Sequence, residues 1–174
     1  MSPVVSGWNN TTVDEKERQP MLDGYISDLE KGDVFRPTEF EVTSLMATQY
    51  AHGVEQTHEF FHSANNSLSR QVRPITAVHA DKMKLLDANC LKEQRITGGR
   101  GPDWRIHFEH DAESIEPVFV GDTIRVSGRI ADRYWKRGRE YLLYEIEVHH
   151  ADGRLLIRYR DRTLLRYRKN EETE

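Results

Sequence analysis

The sequence has very little cysteine, since Cys90 is the only one among its 174 residues. An internal disulfide is therefore impossible, and a zinc site built from several cysteine thiolates is excluded. A single cysteine in an apolar helical stretch is usually a small core residue. We expect this of Cys90.

Long hydrophobic runs are also absent. No apolar segment approaches the roughly 20 residues that a bilayer-spanning helix needs. The first residues do not combine a basic stretch with an apolar one, as a secretory signal does. We therefore expect a cytoplasmic protein that does not enter a membrane.

Charge of one sign is not in excess, because 25 basic and 29 acidic residues give a formal net charge of −4. Nucleic-acid-binding domains usually carry a basic surface that displaces counterions, so we expect no nucleic-acid partner. Segment 154–162 is rich in arginine, but apolar residues alternate with the arginines. This pattern indicates the solvent-facing positions of a strand.

The length suits one domain with a core of ordinary size. Residues 1–24 are polar and show no hydrophobic period, which predicts an irregular N-terminal arm. Residues 25–168 form the predicted domain, and the charged residues 169–174 form a C-terminal tail.

Two helices are predicted in the middle of the chain. Apolar residues recur at helical spacing from Thr43 to about Phe61, with Thr43 or Ser44 as the N-cap. A second helix is predicted from Ile75 to about Leu91, directly after Pro74. Proline is common at the first turn of a helix.

The last third of the chain has the two-residue period of half-buried strands. Three strands are predicted at 123–130, at 141–148 and from Leu155 onwards, and turns at 136–139 and 151–153 join them. Antiparallel strands beside a long central helix predict an α+β domain.

Four segments make this sequence resemble the MaoC-like family. They are Leu29 to Phe35, Glu39 to Thr43, the pair Tyr50-Ala51, and Glu116 to Ile124 with its Pro-Val-x-x-Gly-Asp motif. The resemblance covers residues 25–168 and implies a hotdog fold, in which an antiparallel β-sheet wraps around a long central helix.

The resemblance also implies an activity on acyl thioesters in fatty acid metabolism. Active members of the family are (R)-specific 2-enoyl-CoA or acyl-carrier-protein hydratases, or 3-hydroxyacyl dehydratases, which need no cofactor. They carry a Gly-Asp-x-Asn-Pro-x-His loop after the aromatic-Ala pair. The Asp and His of that loop act as acid and base on the C2–C3 bond, while the start of the central helix stabilises the thioester oxygen.

The corresponding loop of this sequence departs from the family pattern. His62 falls at the position of the family's His, Thr57 replaces the Asp, and the Asn-Pro pair is absent. Because Thr cannot act as a base near neutral pH, a neighbouring ionisable group would have to replace the Asp. The candidate catalytic residues are His62, His58, Glu55, Glu59 and Thr57. Alternatively, these side chains are solvated residues on an exposed surface.

The family pattern further implies that the substrate lies near Tyr50 and near the start of the second helix. The candidate substrate-binding residues are Tyr50, Pro74, Ile75, Thr76, His79 and Ala80. Active members often have a His-Gly step where this chain has His79-Ala80. His79 could equally be a half-buried histidine without a role in binding.

Two other functions remain open from the sequence. The incomplete loop favours a non-catalytic, acyl-thioester-binding subunit that pairs with a catalytic hotdog partner, and a thioesterase would use Asp81 or Asp87. A homodimer or heterodimer with another hotdog subunit is expected, because hotdog domains pair through their edges. His58 and His62 could share a zinc ion, but the sequence shows no clear third ligand, so we predict no metal site.

Overall fold

The computed structural model describes residues 24–62, 67–90 and 105–165. Apart from residue 24, the predicted N-terminal arm lies outside these ranges, as does the predicted tail. The regular elements are β1 (Thr38–Glu41), α1 (Ser44–Gly53), α2 (Val78–Asn89), β2 (Ile106–Ser114), β3 (Thr123–Lys136), β4 (Arg139–His150) and β5 (Leu155–Leu164). Short 3₁₀ turns lie at Ile26–Asp28, Glu59–Phe61 and Ile75–Ala77.

The five strands form one antiparallel sheet in the order β1-β3-β4-β5-β2. Consecutive strands β3, β4 and β5 are joined by tight turns, whereas β1 and β2 occupy the two edges. One face of the sheet packs on α2. The predicted α+β class and the hotdog arrangement of sheet and central helix are therefore confirmed.

The core lies between α2 and the inner face of the sheet. Alternate residues of β4 are fully buried, as the two-residue period predicts, and they meet Leu85 and Leu86 of α2. The arginines at 158, 160 and 162 of β5 alternate with buried residues and form ion pairs on the other face, as predicted. Among the described residues, no helix is both long and apolar enough to cross a membrane.

Helix α1 is shorter than the sequence predicts. Its start is correct, since the Thr43 hydroxyl accepts a hydrogen bond from the Met46 amide at 3.2 Å. The helix ends at Gly53 rather than near Phe61, because Glu55 adopts a positive φ of 55°, which no α-helix accommodates. The chain then returns through a loop to the 3₁₀ turn at Glu59–Phe61.

The predicted turns between the long strands are confirmed. Arg137 and Gly138 alone connect β3 to β4, and both have positive φ angles, 53° and 68°. Positive φ at both central residues is the requirement of a two-residue type I′ hairpin. In the next turn, Gly153 has a φ of 93°.

Candidate functional site

A pocket of about 220 Å³ opens between the start of α2 and the face of β2 and β5. Four of its lining residues belong to the sheet, two begin α2, one lies in the turn before α2 and one lies in α1. The lining residues are Tyr50, Thr76, Val78, His79, His107, His110, Ala112 and Tyr159. Three imidazoles thus share a small cleft with apolar and hydroxyl groups.

The turn that precedes α2 borders this pocket through Thr76. A 3₁₀ turn at Ile75–Ala77 continues directly into α2, and Pro74 is the residue that precedes this turn. Within the described part of the chain, the amides of Ile75 and Thr76 donate to no acceptor. The N-terminus of a helix also carries partial positive charge, which favours a ligand oxygen with negative charge.

A β-bulge brings two of the pocket histidines onto one face of β2. His107 pairs with Thr163 and Glu109 pairs with Arg162, so Phe108 is an extra residue in the ladder. Residues three apart normally point to opposite faces of a strand. Because of the bulge, His107 and His110 both point toward the inner face that α2 covers.

Hydrogen bonds and close contacts link the imidazoles to β5. His79 Nδ1 lies 3.1 Å from the Tyr159 hydroxyl, and His107 Nε2 lies 3.0 Å from His110 Nδ1. His107 Nδ1 is also 2.8 Å from Asp161 Oδ1. The rings of His79 and His107 meet edge to face, with their centroids 4.6 Å apart.

Beneath the histidines, Lys82 of α2 forms an ion pair with Asp161 of β5. Their side chains are 4% and 0% exposed. The second carboxylate oxygen, Asp161 Oδ1, is buried and has no hydrogen-bond partner among the described residues, although His107 Nδ1 lies 2.8 Å away. The pocket therefore rests on a buried pair of charges.

This environment keeps His79 and His107 uncharged. Burial lowers the pKa of His79 to about 4, and the positive charge of Lys82 and the neighbouring His107 and His110 add to the effect. Burial followed by Lys82 also lowers the pKa of His107. Both imidazoles are thus neutral near pH 7 and can accept a hydrogen bond or donate one.

The candidate catalytic residues of the 54–62 segment lie elsewhere. Glu55, Thr57, His58, Glu59 and His62 are exposed, and none of them lines this pocket.

The segment also lacks an internal catalytic pair in the described chain. The His62 ring contacts the carbonyl oxygen of Gln56, and the His58 ring packs against Phe60. No hydrogen bond or ion pair joins the side chains of Glu55, His58 or Glu59 to His62. Their assignment as catalytic residues stays a prediction.

The predicted substrate-binding residues divide into two groups. Tyr50, Thr76 and His79 line the pocket. Pro74 is buried, Ile75 packs on the core and Ala80 is half-buried, so their side chains support the start of the helix. Substrate binding by all six residues stays a prediction.

Sequence reasoning did not select His107, His110, Tyr159 or Asp161 as site residues. His107 and His110 stand three apart on β2, and residues three apart in a regular strand face opposite sides of the sheet. Asp161 was the one signal of this site in the sequence. It is an acidic residue within the strand pattern at 155–164, and a charge at an inward-facing position needs a buried partner.

Comparisons with known proteins agree with this architecture. No protein-family model and no curated protein matches the sequence. The C-terminally truncated HadBC (3R-hydroxyacyl-ACP dehydratase) complex from Mycobacterium tuberculosis matches with a TM-score of 0.63 and 17% identity, covering 77% of this chain and 96% of that chain.

Two further structures match over similar lengths. The MaoC-like dehydratase from Rhodospirillum rubrum has a TM-score of 0.59 and 16% identity, with 83% of this chain and 97% of that chain covered. The R-hydratase PhaJ1 from Pseudomonas aeruginosa has a TM-score of 0.59 and 12% identity, with 87% and 93% covered. This chain has the hotdog fold of MaoC-like dehydratases and (R)-hydratases.

Proposed function

We propose that this chain binds an acyl thioester in the pocket beside α2 and catalyses the reversible hydration of its 2-enoyl group. It would act as an (R)-specific 2-enoyl-CoA or acyl-carrier-protein hydratase, or in reverse as a 3-hydroxyacyl dehydratase, and thus as a lyase of fatty acid metabolism. The observation that carries the proposal is that Thr76 and three imidazoles line one cleft, while the amides of Ile75 and Thr76 have no acceptor in the described chain. The fold shared with a dehydratase and a hydratase supports it.

The amides of Ile75 and Thr76 are the groups that would receive the thioester oxygen. Negative charge develops on this oxygen when water adds to C3 and the enolate-like intermediate forms. Fixed backbone donors at a helix N-terminus stabilise such charge without reorganising during the reaction. Neither amide has another acceptor in the described chain, so both are available to a ligand.

Water addition also needs a group that moves protons between water and the C2 carbon. His110 fits this role in the pocket, because its Nδ1 contacts His107 and its Nε2 has no hydrogen-bond partner among the described residues. His62 is the alternative from the sequence, and it lies outside the pocket of the single chain. If His110 is the proton-transfer group, His110→Ala should lose activity and His62→Ala should keep it. The reverse is expected if His62 has this role.

The size of the pocket indicates which part of the substrate enters it. Its volume of about 220 Å³ lies below the range of sites that enclose a drug-sized ligand. Val78, Ala112 and Tyr50 provide apolar wall for a short acyl group. The nucleotide of coenzyme A, or the carrier protein, would stay at the surface, and the proposal includes no other cofactor.

A second hotdog chain would complete the site along β2. All nine residues of this edge strand are exposed, including Phe108, which is 54% exposed. An open edge strand is a template for pairing with another chain. Since His107, His110 and Ala112 lie on β2, pairing there would put the pocket at the interface. We propose a homodimer or a heterodimer with a related subunit.

The test is the hydration of 2-enoyl-CoA substrates of increasing chain length, followed by the loss of enoyl absorbance. Wild type is compared with His110→Ala, His62→Ala and a control, His149→Ala, whose residue lies on β4 and outside the pocket. Loss of kcat by about 100-fold or more in His110→Ala alone supports the pocket histidine. The same loss in His62→Ala alone supports the loop histidine instead.

A specific observation favours a second function, that of a non-catalytic acyl-thioester-binding subunit. The loop that would carry the catalytic pair is exposed, and within the described residues its other ionisable side chains form no hydrogen bond or ion pair with His62. In this case wild type binds a non-hydrolysable acyl-CoA analogue in calorimetry but does not hydrate any enoyl-CoA. Absence of both binding and turnover contradicts both functions.

A further inference from the structure

We infer that His79, His107 and Asp161 form a binding site for one divalent transition-metal ion, of the Zn²⁺ class, in the wall of the pocket. This inference concerns metal binding and does not depend on the proposed hydration of acyl thioesters. It also differs from the expectation from the sequence, which considered only His58 and His62 as zinc ligands. The three residues come from α2, β2 and β5, so only the folded chain brings them together.

The spacing of the donor atoms suits a small metal ion. One nitrogen from each histidine and one carboxylate oxygen lie within 4.8 Å of one another. In a tetrahedral site with metal–ligand bonds of about 2.1 Å, two ligand atoms are about 3.4 Å apart. The 2.8 Å between His107 Nδ1 and Asp161 Oδ1 is about 0.6 Å shorter than this separation. Side-chain adjustments on the order of 1 Å bring the three donor atoms to the tetrahedral spacing.

The Asp161 carboxylate provides the second, independent observation. Its side chain is completely buried, and Oδ2 is held by the Lys82 ammonium group. Oδ1 faces His107, yet it has no hydrogen-bond partner in the described chain. A buried carboxylate oxygen without a partner is costly, and a bound cation between Oδ1 and the imidazoles would satisfy it.

Neighbouring groups orient the two imidazoles as outer-shell partners commonly do in metal sites. The His107 Nε2 atom, 3.0 Å from His110 Nδ1, fixes the ring so that Nδ1 faces the carboxylate. When His79 binds through Nε2, its Nδ1–H can donate to the Tyr159 hydroxyl 3.1 Å away. Both rings also line the pocket, which leaves an open coordination position on the pocket side.

The charges around the proposed site limit its affinity for a metal ion. Asp161 contributes one negative charge and Lys82 one positive charge, so the surroundings of the ion are neutral overall. Two imidazoles and one carboxylate with an open position is nevertheless a common ligand set for catalytic zinc. Nitrogen-rich sites of this kind also bind Co²⁺ and Ni²⁺, which makes Co²⁺ a useful spectroscopic probe.

The experiment measures Zn²⁺ binding to the full chain, prepared without a polyhistidine tag and stripped with a chelator, by isothermal titration calorimetry without any acyl thioester. Wild type should bind one Zn²⁺ per chain. Binding should weaken by at least about 100-fold in both His107→Ala and His79→Ala. The control His149→Ala should bind like wild type, because His149 lies outside the cluster.

A second measurement reports on the ligands themselves. Co²⁺ bound to wild type should give visible absorption bands that are lost in His107→Ala, while circular dichroism shows that the variant is folded. His107 is 37% exposed on an edge strand, so its replacement leaves the core intact.

Several results would overturn the inference. They are no saturable Zn²⁺ binding by wild type, equal binding by all three variants, or loss of binding in only one of the two ligand variants. Because no thioester is present, none of these outcomes bears on the proposed hydratase activity.

Discussion

Lys82 of α2 and Asp161 of β5 pair their charges inside the core, where 4% and 0% of their side chains are exposed. The pair joins the central helix to the strand that carries Tyr159, and it lies directly beneath the pocket histidines. Removing two charges from water is costly, so such a pair contributes more to fixing how α2 packs on β5 than to the net stability of the fold. It also puts a positive charge next to His79, which helps to keep that imidazole neutral.

Removing one charge of this pair while the other stays buried should destabilise the fold. Lys82→Met leaves the Asp161 carboxylate buried without its partner, and we expect the free energy of unfolding to fall by about 3–5 kcal/mol. The double variant Lys82→Met/Asp161→Leu should recover most of this loss, because neither charge remains. Urea unfolding in the presence of a chelator measures both.

An exposed ion pair supplies the control for that prediction. Lys31 and Asp132 are 67% and 40% exposed and lie 3.2 Å apart. Lys31→Met should cost less than about 1 kcal/mol, because solvent screens the pair. Equal effects of Lys31→Met and Lys82→Met would show that burial does not determine the cost.

Gly128 on β3 is required by close packing of the neighbouring strand. A Cβ atom at this position would lie 2.5 Å from Ile146 Cδ1 and 2.7 Å from the carbonyl oxygen of Glu145. Since the second atom belongs to the backbone, the strands must separate, and Gly128→Ala should cost about 1–3 kcal/mol. Thermal unfolding monitored by circular dichroism measures the loss.

Gly53→Ala is the matched control for Gly128→Ala. Gly53 is the last residue of α1, and apart from its neighbours and the backbone of its own helix no atom of the described residues lies within 4 Å of the position of its missing Cβ. Alanine is favoured over glycine in helices by about 0.5–1 kcal/mol, so this variant should match or exceed wild type in stability. A loss as large as that of Gly128→Ala would contradict the packing argument.

The hairpin between β3 and β4 contains a residue that strains its turn. Arg137 has a φ of 53°, a conformation that asparagine adopts more readily. Arg137→Asn should therefore stabilise the protein by about 0.5 kcal/mol, since Asn-Gly is the preferred type I′ pair. Gly138→Ala should have the opposite effect, because Gly138 also has a positive φ. Melting temperatures of both variants test the two signs.

Glu145 on β4 should make stability depend on pH. Partial burial opposes its ionisation, but hydrogen bonds from Arg129 and Arg160 outweigh burial and lower the pKa of the Glu145 carboxyl. A lowered folded-state pKa gives stability that is present above the ordinary pKa of about 4.3 and lost as pH falls through the folded value. Glu145→Gln should remove that part of the acid dependence.

Urea unfolding of wild type and Glu145→Gln from about pH 7 to about pH 3 tests this. The difference in free energy should be greatest near neutral pH and shrink in acid. A constant difference over the whole range would show that Glu145 is not the titrating group. Glu113→Gln is a useful control, because Glu113 is 50% exposed and its contact with Arg158 is longer, 3.7 Å.

Much of the fold follows from local patterns in the sequence. The alternation of β3, β4 and β5 specifies strands, and the turn residues at 137–138 and 153 require positive φ angles that glycine provides. The Thr43 hydroxyl is a capping group wherever a helix follows it. The end of α1 was not predictable in this way, because apolar residues at helical spacing continue beyond Gly53 into a loop.

The sequence by itself determined the α+β class, the order of the elements and the position of the helix start that faces the pocket. Only the tertiary structure decided which polar side chains meet there. The bulge at Phe108 puts His107 and His110 on one face, and long-range pairing of β2 with β5 brings them to Asp161. The hydrophobic period and the structural propensities of residues describe only neighbours in the sequence. A site built from α2, β2 and β5 depends instead on strand register and on the burial of charge.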